Sequence, residues 1–365
     1  MNIILIILVF GVIIFFHELG HFIVAKINHI TVKEFSMGFG PKLFQFHKKE
    51  TQYTLRLIPL GGYCMMLSED DEENANDENS FEKKSIWARM AVVLAGPAMN
   101  FVIAFLFSMV IIHFCGSDPA IIGAVYNKDN IEKYQIENAE EYFNGVYPAE
   151  EAGISDGDRV LKIEGSTVKN FRELQIYLQI YGDGSPIDLT LEKEDGTVYD
   201  TTVHPTKTPD GYKIGIMSVG YQLPKNFGEL CKYSAYETRY WVKATFLSLK
   251  LIVTRRVSSD EVSGPVGVAK NMNDTFNEAA KSSVLDLFLN WMNYIVLLSA
   301  NLGVMNLLPI PGLDGGRFIF LLIEAVTRKK VPKDKENIVT LIGFVLVMLL
   351  MVVILFNDIK NVFFH

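Results

Sequence analysis

Four apolar runs dominate the chain and leave it little choice of fold: residues 1–27, 90–115, the first part of a longer stretch at 284–325, and 338–357. A hydrocarbon core asks ~20 such residues of a helix, and the last run only just supplies them. Lipid offers no partner to backbone amides, so spans of this kind must be helical. The expectation is a polytopic α-helical membrane protein with about four transmembrane helices. Composition agrees, with 49% hydrophobic residues, 25 Phe and only 21% charged residues. The net charge of −8 argues against a nucleic-acid partner. No nucleotide-binding loop is present, which disfavours an ATP-driven machine. The first run has neither a basic leader nor a small-residue cleavage site, so it reads as a span and not as a cleaved signal.

That first run is interrupted by FFHELGHFIVAK at 15–26. Ionisable groups in hydrocarbon are expensive and face a bundle interior, a partner or a wet cavity. His17 and His21 stand four residues apart, which places both imidazoles on one helix face at metal-ligand separation, while Glu18 lies about 100° round the helix. This is the HExxH arrangement, with two zinc ligands and a glutamate able to reach a metal-bound water as general base. With 7 His and 42 acidic residues, chance would supply the pattern roughly 0.015 times. The competing account is a pair of hydrogen-bonded core histidines, and it weakens inside an apolar span because unpaired polar groups oppose insertion.

Positive charge orients the chain. Residues 28–88 carry seven Lys and Arg, and the 325–337 connection carries five, against Lys360 alone in the tail. The positive-inside rule places both termini outside the cell and these two loops in the cytoplasm. At ~1.5 Å per residue His17 then lies about 25 Å from the outer end of its helix, toward the cytoplasmic side. The acidic stretch 69–82 reads as a solvated loop.

A third ligand is expected where the third run breaks at NLGVMNLLPIPGLDGGR, 301–317. Pro309, Pro311, Gly312, Gly315 and Gly316 do not sustain regular helix, and irregular backbone at membrane depth must be covered or line a cavity. Asp314 hangs from this break. The bland account is an interhelical turn with Asp314 capping the next segment. HELGH, AGPAMNF (95–101) and NLLPIPGLDGGR together resemble the site-2 protease family of intramembrane zinc metalloproteases, in the bacterial regulated-proteolysis branch with one PDZ-like domain. The resemblance runs over nearly the whole chain. It implies one Zn²⁺ held by His17, His21 and Asp314, with Glu18 as the catalytic glutamate. It also implies Asn306 at substrate backbone, and it puts Asn100, Gly38, Phe39 and Gly40 in the expected substrate-binding set. For Asn100 a helix-packing hydrogen bond is the competing account.

The implied organisation is a first span (1–27), a cytoplasmic loop (28–89) with a membrane-associated β-hairpin, and a second span (90–115). An extracytoplasmic α+β PDZ-like domain (116–210) and a linker with an interfacial helix (211–283) come next. The rest is a third span with the LDGG break (284–325), a cytoplasmic loop (326–337), a fourth span (338–357) and a tail (358–365). KLFQF and TQYTLRLI alternate about HKKE, as a hairpin does, bracketed by GFG and GG. In the resembled family its edge takes the substrate as an added strand. GDRVLKIEG, NFRELQIYLQ, PIDLTLEK and TVYDTTVHP read as strand, helix and two strands, and 127–146 reads as an insertion. GPVGVA (264–269) is expected as a loop re-entering the fold. Cys64, Cys115 and Cys231 form no framework.

The resulting expectation is a membrane-embedded metalloendopeptidase of the bacterial plasma membrane. Its partners are the lipid bilayer and single-pass substrates, anti-sigma factors or remnant signal peptides, pre-cleaved by a site-1 protease. Two other accounts share parts of the pattern. A non-proteolytic, zinc-containing adaptor would use the PDZ-like domain to hold partners. An unrelated HExxH membrane protease would need a glutamate ligand, for which Glu324 is the nearest candidate.

Overall fold

The computed structural model describes residues 2–68, 77–128, 143–209, 211–254 and 264–364; residues 69–76 of the acidic stretch and 129–142 of the expected insertion lie outside these. The chain divides into two compact units, 1–108 with 252–365, and 109–251.

The first unit contains the expected spans. Among the described residues four helices are long and apolar enough to cross a membrane: α1 (Asn2–Ile27), α2 (Ile86–Cys115), which runs on into the second unit, α7 (Val284–Leu307) and α9 (Lys333–Phe364). Shorter helices α6 (Pro265–Ser282) and α8 (Asp314–Thr327) belong to the same unit. Val9 and Ile13 of α1, Ile103 of α2, Met272 and Phe276 of α6 and Ile295 of α7 form one buried cluster. Helices in lipid gain little from apolar burial against each other, so close approach relies on small side chains. At Gly20 of α1 an added Cβ would overlap the carbonyl oxygen of Ala95, and at Gly303 of α7 it would lie 2.8 Å from the Phe101 ring.

Strands β1 (Val32–Lys48) and β2 (Thr51–Met66) form the expected hairpin, and they do more than pair once. Phe44↔Leu55 through Lys48↔Thr51 make the tip. Phe35↔Cys64, Ser36↔Tyr63 and Met37↔Gly62 pair the roots. Phe35↔Tyr53, Ser36↔Thr54 and Met37↔Leu55 join the root of β1 to the start of β2, with both numbers rising together. Each long strand therefore bends within itself, and the result is a four-ply sheet with Gly62–Met66 along one edge. The bends fall at the bracketing glycines: Gly38 and Gly61 have φ of 88° and 104°, a region open to glycine at little cost. Arg56 ties the bend, donating to Ser36 Oγ, the Gly40 carbonyl, Glu34 and Tyr63 Oη.

Two expectations need correction. Gly315 and Gly316 do not break helix; they lie in the first turn of α8, where a Cβ on Gly316 would sit 2.5 Å from the Ile310 carbonyl oxygen. The irregular segment is Leu308–Leu313, and the glycines let the new helix press back against it. GPVGVA is a helix start and not a re-entrant loop: Gly264 is the N-cap of α6 and Pro265 occupies its first turn, where a missing N–H costs nothing. The buried Asp358 carboxylate of α9 accepts the N–H groups of Gly264, Val266 and Gly267 at 2.8, 2.8 and 3.0 Å.

In the second unit the expected strands and helix take their places as β4 (Arg159–Ile163), α4 (Phe171–Tyr181), β6 (Ile187–Glu192) and β7 (Val198–Val203), after β3 (Ile122–Val125) and the short α3 (Pro148–Glu151). With β5 (Ser166–Thr167) they make an antiparallel sheet of order β5-β4-β6-β7 over a core that includes Ile163, Leu174 and Leu189. Asn170 caps α4 by accepting the Glu173 N–H, while Glu173 accepts the Lys169 N–H. The unit also holds β8 (Thr206–Thr208), β9 (Gly211–Lys213), β10 (Ile216–Ser218), which pairs with β3, and most of α5 (Phe227–Val253). Expected as an interfacial helix, α5 places its charges inside this unit: Glu237 pairs with Arg172 at 2.5 Å and Arg239 with Glu173 at 2.7 Å. No disulfide joins Cys64, Cys115 or Cys231.

Candidate active site

In the first unit, α1 and α8 bring three potential ligands together. His17 Nε2 lies 3.3 Å from His21 Nε2, and Asp314 Oδ2 lies 3.2 and 3.4 Å from the same two atoms. Ligands held ~2.0–2.1 Å from a tetrahedral zinc stand roughly 3.3–3.4 Å apart, so the triangle has the edge lengths such an ion requires. Both histidines are buried, and Asp314 Oδ2 is a buried oxygen with no hydrogen-bond donor aligned on it. The three atoms converge within 3.4 Å of one another, as the ligands of one cation do. His21 Nδ1 lies 2.8 Å from the Val92 carbonyl oxygen. A carbonyl only accepts, so Nδ1 carries the proton and Nε2 keeps its lone pair for the triangle.

The second span closes one side of this cluster. A Cβ on Gly96 would overlap His21 Nε2 and come within 2.7 Å of His17 Cε1, so only glycine lets α2 lie against both imidazoles. Glu18 stands between the triangle, whose charges act on it, and the sheet edge, where a Cβ on Gly62 would lie 3.2 Å from its Cγ.

Residues 5–350 match the model of peptidase family M50. The chain belongs to peptidase family M50. It is 38% identical to a protein of Clostridium acetobutylicum over 360 residues, covering 98% of this chain and 97% of that one. It is 32% identical to the zinc metalloprotease RasP of Geobacillus kaustophilus over 440 residues, covering 99% and 98%. To the regulator of sigma-W protease RasP of Bacillus subtilis it is 29% identical over 438 residues, covering 98% of each.

In this M50 peptidase the remaining expected residues fall in different places. Asn306, near the end of α7, puts its Nδ2 3.5 Å from His17 Nε2, beside the triangle. Asn100 is fully buried on α2, with Nδ2 3.1 Å from His17 Nδ1. Gly38, Phe39 and Gly40 form the bend of β1, where the half-exposed Phe39 ring covers Gly61. Glu324 is not at the triangle: Arg89 of α2 holds it bidentately, Nη1 to Oε2 at 3.1 Å and Nη2 to Oε1 at 2.5 Å. Sequence reading missed Gly96, the Val92 carbonyl and Arg89. The glycine stood inside AGPAMNF, but a close approach between helices leaves no spacing signal of its own.

Proposed function

We propose that this peptidase is an intramembrane zinc endopeptidase that hydrolyses peptide bonds within the transmembrane segment of single-pass membrane proteins. The observation that carries the reading is the triangle of His17, His21 and Asp314, with edges of 3.2–3.4 Å, among helices built to cross a membrane. These three residues would hold one Zn²⁺ per chain, which is also the metal in the names of its relatives. When bound, zinc supplies Lewis acidity, acidifying water and polarising the scissile carbonyl. The Glu18 carboxylate takes the proton of the attacking water and returns it to the departing amide nitrogen. Asn306 Nδ2 is placed to donate to a substrate carbonyl beside the triangle.

A transmembrane helix hides its own amides, so it must open before its carbonyls can be reached. The Gly62–Met66 edge, beside Glu18, would hold the opened segment as an added strand, with Gly38, Phe39 and Gly40 shaping the bend behind it. The positive-inside rule supports an active site toward the cytoplasm, with both termini outside. The second unit is read as an extracytoplasmic PDZ-like domain that admits substrates already trimmed by a site-1 protease. A relative named for sigma-W regulation favours anti-sigma factors as targets, with remnant signal peptides as a further class.

The test uses the purified full chain and its Glu18→Gln variant, both assayed for zinc and for cleavage of a panel of anti-sigma factor transmembrane segments. Cleavage by the wild type alone, with zinc in both, is the expected result. Equal zinc and no cleavage by either, with substrates already trimmed on their outer side, would favour the adaptor account.

A further inference from the structure

A neutral imidazole has one lone pair, and in both histidines the atom turned toward Asp314 is Nε2. With Nε2 giving that lone pair to a metal, each Nδ1 carries the proton, and each needs an acceptor, because a buried donor without one is costly. His21 has the Val92 carbonyl. For His17 Nδ1 the facing group is the Asn100 amide, presented through Nδ2 at 3.1 Å. Nδ2 is a donor. Facing a protonated Nδ1 it would set two donors against each other, and facing a bare Nδ1 it would force the proton onto Nε2, inside the triangle. Asn100 Oδ1, meanwhile, is buried and has no donor. Amide oxygen and nitrogen are nearly isosteric and exchange by a half-turn of the side chain. That half-turn gives the oxygen its donor and His17 its acceptor.

We propose that Asn100 is a positioning residue of the metal centre: its side-chain oxygen accepts the Nδ1–H of His17 and fixes the tautomer that aims the Nε2 lone pair at the metal. The inference rests on the zinc reading and deepens it. Two imidazoles on one helix are thereby preset by two acceptors from α2, a backbone carbonyl and a side-chain amide eight residues further on. It also gives Asn100 a role other than contact with substrate, in keeping with a side chain that is 0% exposed.

The experiment measures zinc affinity by chelator competition on the full chain in detergent, for wild type, Asn100→Asp, which keeps an acceptor, and Asn100→Leu, of similar volume with none. Outer partners of this kind carry about 10–100-fold in metal affinity. The Leu variant should lose affinity in that range while the Asp variant stays near wild type. Equal affinity in the Leu variant, or a loss in the Asp variant as large as that in the Leu variant, would overturn the proposal. The second readout is the ¹⁵N spectrum of histidine-labelled, zinc-free wild type, with His17 assigned by its absence in His17→Gln. A protonated Nδ1 is expected, and a protonated Nε2 would overturn the proposal even if the Leu variant failed to fold. A zinc affinity indifferent to His17→Gln would instead defeat the zinc reading itself.

Discussion

The ion pair between Arg89 and Glu324 should behave as a clamp on the helix that carries Asp314. Glu324 lies ten residues after Asp314, about 15 Å along α8, and its carboxylate is gripped by both terminal nitrogens of Arg89 at 3.1 and 2.5 Å. The side chains are only 8% and 15% exposed, so neither charge can fall back on water. Removing one partner from such a pair strands the other and costs about 3–5 kcal/mol, whereas replacing both with apolar groups of similar volume is often close to neutral. Glu324→Gln and Arg89→Met should therefore each destabilise by about that amount. The double variant should recover most of it, so the coupling energy should exceed the loss of either single variant. Denaturant unfolding in detergent, followed by helical circular dichroism across the cycle, measures this. Singles within about 0.5 kcal/mol of wild type and no coupling would refute the argument. Zinc stoichiometry is a second readout: Asp314→Ala should lose the metal and Glu324→Ala should keep it.

Gly96→Ala should abolish zinc binding, read as metal content of the monodisperse protein, because its Cβ would occupy the space of His21 Nε2; full zinc content would show that α2 can retreat without cost. Asp358→Leu removes an acceptor of three backbone N–H groups at the start of α6 and should destabilise by about 1–2 kcal/mol. Hydrogen exchange at 264–268 should accelerate in that variant, and unchanged exchange would count against the cap. In the second unit burial raises the Glu237 pKa, opposed by Arg172. The folded state then holds its proton to higher pH than the unfolded state, so stability should rise as pH falls through the raised pKa and level off near the ordinary glutamate value. Glu237→Gln should flatten that part of the pH profile, and an unaltered profile would contradict it.

Length and hydropathy made the spans legible, because a bilayer tolerates little else over ~20 residues. HExxH was legible because the helical period places His17 and His21 on one face, and the Pro-rich break announced Asp314. What the sequence withheld depends on which elements meet. Gly38 and Gly61 marked the limits of the hairpin tip, but that β1 folds back to pair twice with β2 is visible only in the register. Gly264 and Pro265 look like a turn until Asp358, more than ninety residues away, supplies the carboxylate that makes them a helix start. The three-residue strands β9 and β10 carry too little alternation to be read, and β10 finds β3 across some ninety residues. Glu324 attracted notice as a spare carboxylate; its partner Arg89 lay 235 positions away.

Polar groups inside an apolar bundle are tolerated when answered, and in the first unit several charged ones are. Val92 answers His21, Arg89 answers Glu324, and three amides answer Asp358. Among the described residues two buried side-chain carboxylate or amide oxygens lack a donor, Asp314 Oδ2 and Asn100 Oδ1. Both belong to the two histidines: the first faces their Nε2 atoms, and the second hangs on the amide that faces His17 Nδ1. Neither has a donor as placed; a cation in the triangle would answer the first and a half-turn of the amide the second. The two corrections depend on one another. A cation needs the His17 lone pair at Nε2, and an Asn100 oxygen facing Nδ1 would hold it there. A bundle that selected Asn100 for helix packing alone would have no reason to aim its amide at that nitrogen, and Asn100→Leu would then leave zinc affinity where it was.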